Sequence, residues 1–434
     1  MLFKDITILD ENFEIKEHMY VGVKDAFIKY VGDKMPEEDY GEVYDGNNRL
    51  LMPAFYNMHS HNPMVLMRGY GENMPLANWL NERIFPFEAH LTEDDMYWGT
   101  LMGVAESVRY GIAASTDMYL GENAQARAYS ESGFKSNISN SVTCFDDSDY
   151  RDYRDMPYYK NTLKAIKDWD GYDDGRIHVE YALHAEYTSN EKIARQLAEV
   201  CQENESTMHV HVSETASEVK ACRERHDGKS PVKYLADCGI FDRPTVAAHC
   251  VHVDDDDIEI LRAKNVTVAS CPKSNLKLAS GIAPIYRLME GGVNVTIGTD
   301  SVVSNNCLNM IEEIRYFNLL QKGSTGIATA IDPRETIYAA TRAGAIGQGR
   351  KDCGLIKEGF RADIIALDID TVYNFPQYNL LNNLVYSMSG NDVVLTMVDG
   401  RVLYKEGMFP TLDIEKLKFE CNNSIKRILG ELSK

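Results

Sequence analysis

The chain has 434 residues, 44% of them hydrophobic and 26% charged, and carries a formal net charge of −21. That profile excludes a disordered or fibrous chain, and the length suits one barrel enzyme with a small appended domain. The acidic excess is not interrupted by any Lys/Arg cluster, so nucleic acid is not expected as a partner; a small neutral or zwitterionic substrate suits the charge better.

No apolar run approaches the roughly 18 to 20 residues of a membrane span, and the opening MLFKDITILDENFEIKEHMY lacks the apolar block of a signal peptide. The expectation is a cytoplasmic protein with no membrane partner, and the reading admits a homo-oligomer. The cysteines at 144, 201, 222, 238, 250, 271, 307, 353 and 421 include no C-x-x-C pair, so they read as thiols rather than as a disulfide framework or a thiolate zinc knot.

In chain order, residues 1–53 read as short strands and turns (FKDITILDE, YVGVKDAFIKYVGD). From 54 to 353, short apolar strands alternate with amphipathic helices. The strands are GIAASTD (111–117), IHVEYALH (177–184), TMHVHVSE (207–214), PTVAAHC (244–250), VTVASC (266–271) and VNVTIGTD (293–300). Helical patterns at 189–204, 254–265 and 282–292 separate them. Acidic stretches at 146–155 and Asp254–Asp257 read as solvated loop and helix-start residues. Residues 354–434 return to short strands, with Asp399-Gly400 as a hairpin turn, and close on a helix from about 413 to 432. Neither flank is large enough to fold alone, so the two chain ends are expected to join into one small β-sandwich.

Near-continuous apolar strands alternating with helices indicate a parallel sheet buried on both faces. The strands finish in His184, His211 with Glu214, His249, Cys271 and Asp300, and reactive side chains at strand C-termini are the mark of a (β/α)8 TIM-type barrel. An open doubly wound sheet would begin with a glycine-rich phosphate loop, which is missing here.

His59-Ser60-His61 follows the apolar run LLMPAFYNM. On a strand, residues i and i+2 point the same way, so both imidazoles would enter the barrel together; taken alone, the pair reads equally well as polar loop histidines. His211, His249 and Asp300 supply further nitrogen and oxygen donors from separate strand ends, a set suited to Zn2+ or Fe2+. Burying Asp300 after so apolar a strand is costly without a cation or hydrogen-bond partners.

At these residues the chain resembles the amidohydrolase superfamily, and within it the methylthioadenosine/S-adenosylhomocysteine deaminase branch. The resemblance runs nearly end to end through NMHSHNPMVLMRGYGENMPLANWLNERIFPFE (57–88), HVSET (211–215), AAHCVHV (247–253), SCPKSNLKLASGIAPI (270–285) and GTDSVVSNN (298–306). It implies that His59, His61, His211 and Asp300 hold a single metal, since no lysine stands where two-metal relatives keep a bridging one. It also implies Glu214 as the proton-shuttling carboxylate, His249 as a non-ligand histidine stabilising the developing oxyanion, and Asp300 as an acceptor of the water proton. Glu88 and His184 match substrate-contacting positions, with Glu88 suited to ribose hydroxyls, and Trp79 is a candidate pocket wall.

The implied activity is deamination of an adenosine-type nucleoside (methylthioadenosine, S-adenosylhomocysteine, 5′-deoxyadenosine or adenosine) to the inosine-type product and ammonia. The alternatives are deaminases or chlorohydrolases of guanine-like, pterin or triazine rings, and a non-catalytic scaffold, which predicts lost ligands. His209 reads as a structural histidine behind the ligands, His252 as a helix-start residue, and Asp117 as a buried, satisfied carboxylate. The branch often places an arginine for the substrate's polar tail where the alignment puts Asn140, in a stretch (136–142) unusually polar for a barrel strand; Arg151 or Arg154 is a possible substitute from the following loop. Thr299-Asp300-Ser301 replaces the usual T-D-G, and Pro53-Ala54-Phe55 the usual P-G-F.

Overall fold

The computed structural model describes residues 1–74, 76–145 and 151–434, so the part of the acidic stretch at 146–150 lies outside the described residues. Five strands come first: β1 (Leu2–Leu9), β2 (Ile15–Lys24), β3 (Phe27–Gly32), β4 (Val43–Asp45) and β5 (Arg49–Pro53). Eight more follow: β6 (Phe55–Ser60), β7 (Ile112–Met118), β8 (Lys135–Val142), β9 (Ile177–Leu183), β10 (Met208–Val212), β11 (Thr245–His249), β12 (Thr267–Ser270) and β13 (Asn294–Ile297). The last three are β14 (Ile364–Asp368), β15 (Val393–Val398) and β16 (Arg401–Lys405).

Strands β6 to β13 pair in parallel, each with its neighbour in sequence, as helices returning the chain over the outside require. The ring closes between its first and last strands, where Ser60 bridges Asp300 and the Asp300 amide donates to the His59 carbonyl at 2.9 Å. Gly298 permits that approach, because a Cβ there would stand 2.8 Å from the His59 nitrogen. The expected (β/α)8 barrel is therefore present. Strands β12 and β13 end at Ser270 and Ile297, so Cys271 and Asp300 sit just past their strands rather than on them.

The two chain ends meet in one eight-stranded mixed sheet ordered β16-β15-β14-β5-β1-β2-β3, with β4 beside β1. Its central pairing, β5 antiparallel to β14, joins residues more than 300 apart in sequence. Alternation sorts the side chains. Leu50 and Met52 of β5, with Ile365 and Leu367 of β14, enter the barrel-side core, while Leu51, Ile364 and Ala366 enter a second core with Phe3, Ile6, Val21 and Leu395.

The polar strand β8 is buried nearly throughout, and its polarity is satisfied by the barrel itself. Asn137 donates to Glu180 at 2.7 Å and accepts from Arg350 at 2.9 Å. The C-terminal helix, Ile414–Leu432, leaves the small sheet and lies against the barrel helix Glu93–Arg109. Its Cys421 and Ile428 pack in one cluster with Trp79, Ile84 and Phe87, so it braces the segment that roofs the cavity described next.

Candidate metal centre and substrate cavity

His59 and His61 leave β6 on the same side, as residues two apart on a strand must. Their Nε2 atoms lie 3.5 and 3.2 Å from Asp300 Oδ1, which arrives from the far side of the closure. His211, at the end of β10, brings its ring centroid to 4.8 Å from that of His59. Donor atoms of His59, His61 and His211 lie within 4.8 Å of one another, and so do those of His59, His249 and Asp300.

The rings are oriented from behind. His61 Nδ1 donates to the Met118 carbonyl, His211 Nδ1 lies 2.6 Å from the His184 carbonyl, and His59 Nδ1 lies 2.9 Å from His209 Nε2. Each arrangement leaves Nε2 facing the same space. His59 Nε2 is buried with no hydrogen-bond partner, an expensive state for a polar atom in this interior. Burial also pushes the His59 pKa down to about 3 and holds His211 well below the usual histidine range, so both rings are neutral bases. Burial alone would raise Asp300, but the adjacent His59 and His61 imidazoles outweigh it and hold the carboxyl well below its usual range. Neutral imidazoles, an ionised carboxylate and an orphaned ring nitrogen fit a divalent transition metal.

Asp300 is held further by Ser274 and Ser304, whose hydroxyls donate to Oδ2 at 2.5 and 2.8 Å. Asp300 and His249 both adopt left-handed backbone, with φ of 59° and 73°, which non-glycine residues accept at a cost. That strain turns each side chain off its strand end into the barrel mouth. His249 Nδ1 lies 2.9 Å from Asn275 Oδ1, and its Nε2 stands 3.9 Å from Glu214 Oε2. Burial raises the Glu214 pKa above the ordinary carboxylate range.

These groups floor a cavity of about 300 Å³. Glu88 faces it from the segment after Trp79 and accepts a hydrogen bond from the Tyr119 hydroxyl at 2.8 Å; burial raises its pKa as well. His184 lines the same wall, its pKa lowered to about 4 by burial and by His61. Of the metal-ligating, catalytic and nucleoside-contacting residues named from the sequence, all except the fully buried His59 line the cavity.

Asn140 does not face the cavity. Its amide donates to Glu122 at 3.3 Å, and Ser141 and Thr143 present themselves instead. The register of β8 places residue 140 outward, so a departure at that position says nothing directly about the substrate. His209 stands behind His59, as read from sequence, and His252 Nε2 lies 2.7 Å from the Ser280 carbonyl. Asp117 is satisfied by the Asn62 amide and the Tyr129 hydroxyl. The supports Tyr119, Asn275, Ser274 and Ser304 were not identified from sequence. A second trio of potential donors, Glu186, Cys222 and His226, is closed by the ion pair from Arg225 to Glu186 and the 2.7 Å hydrogen bond between His226 and Glu186, and needs no cation.

The sequence profile of the Amidohydrolase family matches residues 50–403. The chain is 38% identical over 422 residues to a 5-methylthioadenosine/S-adenosylhomocysteine deaminase from Dictyoglomus thermophilum, covering 97% of both chains. It is 35% identical to a protein of the same name from Caldanaerobacter subterraneus over the whole of both chains. The crystal structure of an adenosine deaminase from Xanthomonas campestris with bound zinc is similar at a TM-score of 0.90 and 28% identity, covering 99% of this chain and 98% of that one. An atrazine chlorohydrolase from Arthrobacter aurescens superimposes at a TM-score of 0.89 and 19% identity over 98% of this chain and 99% of its own, a likeness of fold alone.

Proposed function

Since this chain belongs to the amidohydrolase family, we propose that it is a metal-dependent aminohydrolase that converts an adenosine-type nucleoside to the inosine-type product and ammonia. The observation that carries this reading is the convergence of His59, His61, His211 and Asp300 beside the Glu214–His249 pair, on the floor of a cavity that also presents Glu88. The names of the relatives and the zinc in the adenosine deaminase structure support it.

In this reading His59, His61, His211 and Asp300 hold one divalent transition metal, zinc first and Fe2+ as the alternative. When bound there, such an ion supplies the Lewis acidity that lets water attack a ring carbon at neutral pH. The remaining work falls to side chains. Asp300, ionised and steadied by two serine hydroxyls, accepts a proton from the attacking water. Glu214, whose raised pKa keeps it protonated further up the pH scale, delivers a proton to the neighbouring ring nitrogen. His249, fixed by Asn275, faces the charge that develops on the incoming oxygen. Transfer of the proton from that oxygen to the exocyclic amine releases ammonia and leaves the carbonyl. Glu88 accepts from the ribose hydroxyls, and neutral His184 contacts the nucleoside beside the metal ligands.

Ammonia release across adenosine, 5′-deoxyadenosine, 5′-methylthioadenosine, S-adenosylhomocysteine, guanine, a pterin and a chlorinated triazine tests the assignment. Turnover of one or more of the adenosine derivatives is expected, with none of the other rings. Turnover of another ring, with none of any adenosine derivative, would overturn it.

A further inference from the structure

The cavity has an uneven distribution of charge. Among the described residues, the carboxyl groups lining it are Glu88, Glu214 and Asp300, and no lysine or arginine joins them. In the proposed reading all three are already assigned, to the ribose and to the reacting ring. The rest of the wall is uncharged and largely apolar, with Trp79, Leu80, Ile84, Phe85, Leu120 and Phe145 beside a few hydroxyl side chains.

Two nearby cations are committed elsewhere. The Arg83 guanidinium lies over the Tyr70 ring at 5.7 Å, and Arg154 forms a two-pronged pair with Glu203 at 2.8 and 3.0 Å. The inward positions at the end of β8 are the small, neutral Ser141 and Thr143, and the Thr143 hydroxyl is engaged at 3.0 Å with that of Tyr158.

From this wall we infer, on the basis of the nucleoside reading above, that the enzyme selects adenosine nucleosides whose 5′ position bears a short uncharged substituent, and rejects those whose 5′ tail ends in a zwitterionic amino acid. A methyl or methylthio group loses only apolar surface to water on entering, and a thioether gains contact with the aromatic rings. An α-carboxylate would lose hydration among apolar side chains and carboxyl groups, with no guanidinium or ammonium among the described lining residues to receive it. A cavity of about 300 Å³ also sits at the small end of the range for ligand sites.

The test compares kcat/KM for 5′-methylthioadenosine, 5′-deoxyadenosine and S-adenosylhomocysteine in the native enzyme and in Phe145→Arg, which adds a cation at an exposed rim position. A preference of roughly 100-fold or more for the uncharged tails is expected, as for other sites that leave a buried polar group unpaired. Phe145→Arg should narrow it by about tenfold, the usual worth of one charge-assisted contact. The corresponding inosine products, measured as competitive inhibitors, should show the same order. Equal kcat/KM for all three tails would overturn this inference and leave the deaminase reading standing. A preference unchanged in Phe145→Arg would overturn its electrostatic origin. Turnover of adenosine but of none of the three would overturn the inference alone, and turnover of no adenosine nucleoside would remove the reading on which it rests.

Discussion

His59 Nδ1 lies 2.9 Å from Nε2 of His209, and both rings are fully buried, 0% exposed. His209 thereby sets which nitrogen of His59 faces the cavity, although its own ring lies away from it. His209→Ala is expected to weaken metal binding by roughly 10- to 100-fold, the usual effect of removing a group that orients a ligand. Metal affinity measured by competition with a chromophoric chelator checks this; unchanged affinity in the folded variant would contradict it.

Glu214 is proposed to act in its protonated form, so activity must fall as pH rises through its pKa. Burial raises that pKa, so the falling limb belongs above the ordinary glutamate value of 4.5. Glu214→Gln should lower kcat by about 100- to 10,000-fold and remove the limb. The kcat–pH profiles of both proteins decide it, and a profile in Glu214→Gln matching that of the native enzyme would exclude Glu214 as the acid.

The Tyr119 hydroxyl donates to Glu88 Oε1 at 2.8 Å and holds that carboxylate toward the cavity. Tyr119→Phe should raise KM for nucleosides by about three- to tenfold, the worth of one hydrogen bond to a charged group, with a smaller effect on kcat. A loss confined to kcat would show that Glu88 is not oriented for binding.

Lys135 of β8 is 1% exposed, and its Nζ lies 2.7 Å from Asp399 Oδ1 and also pairs with Asp363. Two carboxylates from the small sheet thus meet one buried ammonium from the barrel. Lys135→Met leaves buried Asp363 without its cation, while Asp399 keeps Arg361 at 3.1 Å, and is expected to cost about 3–5 kcal/mol of stability. Chemical denaturation reads this directly, while metal affinity should stay as in the native protein. A loss below about 1 kcal/mol, the level of an exposed pair, would contradict the account.

Much of the centre was legible because its signals are short-range and geometric. His59 and His61 share a strand face, and His211, His249 and Asp300 each fall at the end of an apolar run, so the barrel expectation carried them to one mouth. The composite sheet was legible from strands of one style at both chain ends. Less was legible where the chain departs from strand periodicity. Residues 76–88 form short helical turns interrupted by a single π-type stretch, Leu80–Ile84, and no alternation rule reveals that they roof the cavity. Asn140 misleads because a one-residue difference in register moves a side chain from cavity to outer wall, and that register is set by pairing with β7 and β9. Tyr119, Asn275, Ser274 and Ser304 act through contacts that only the closed barrel creates. The packing of the terminal helix on the barrel is likewise a tertiary choice; its sequence required only some apolar partner.

The central claim, hydrolysis at one metal held by His59, His61, His211 and Asp300, is tested most directly by activity against metal occupancy. Stripped protein titrated with Zn2+ while ammonia release from 5′-methylthioadenosine is followed should gain activity linearly and saturate at about one ion per chain, the count expected of a closed set of four ligands. Full turnover by protein shown to be metal-free, or saturation only at about two ions per chain, the stoichiometry of a two-metal site, would contradict the account.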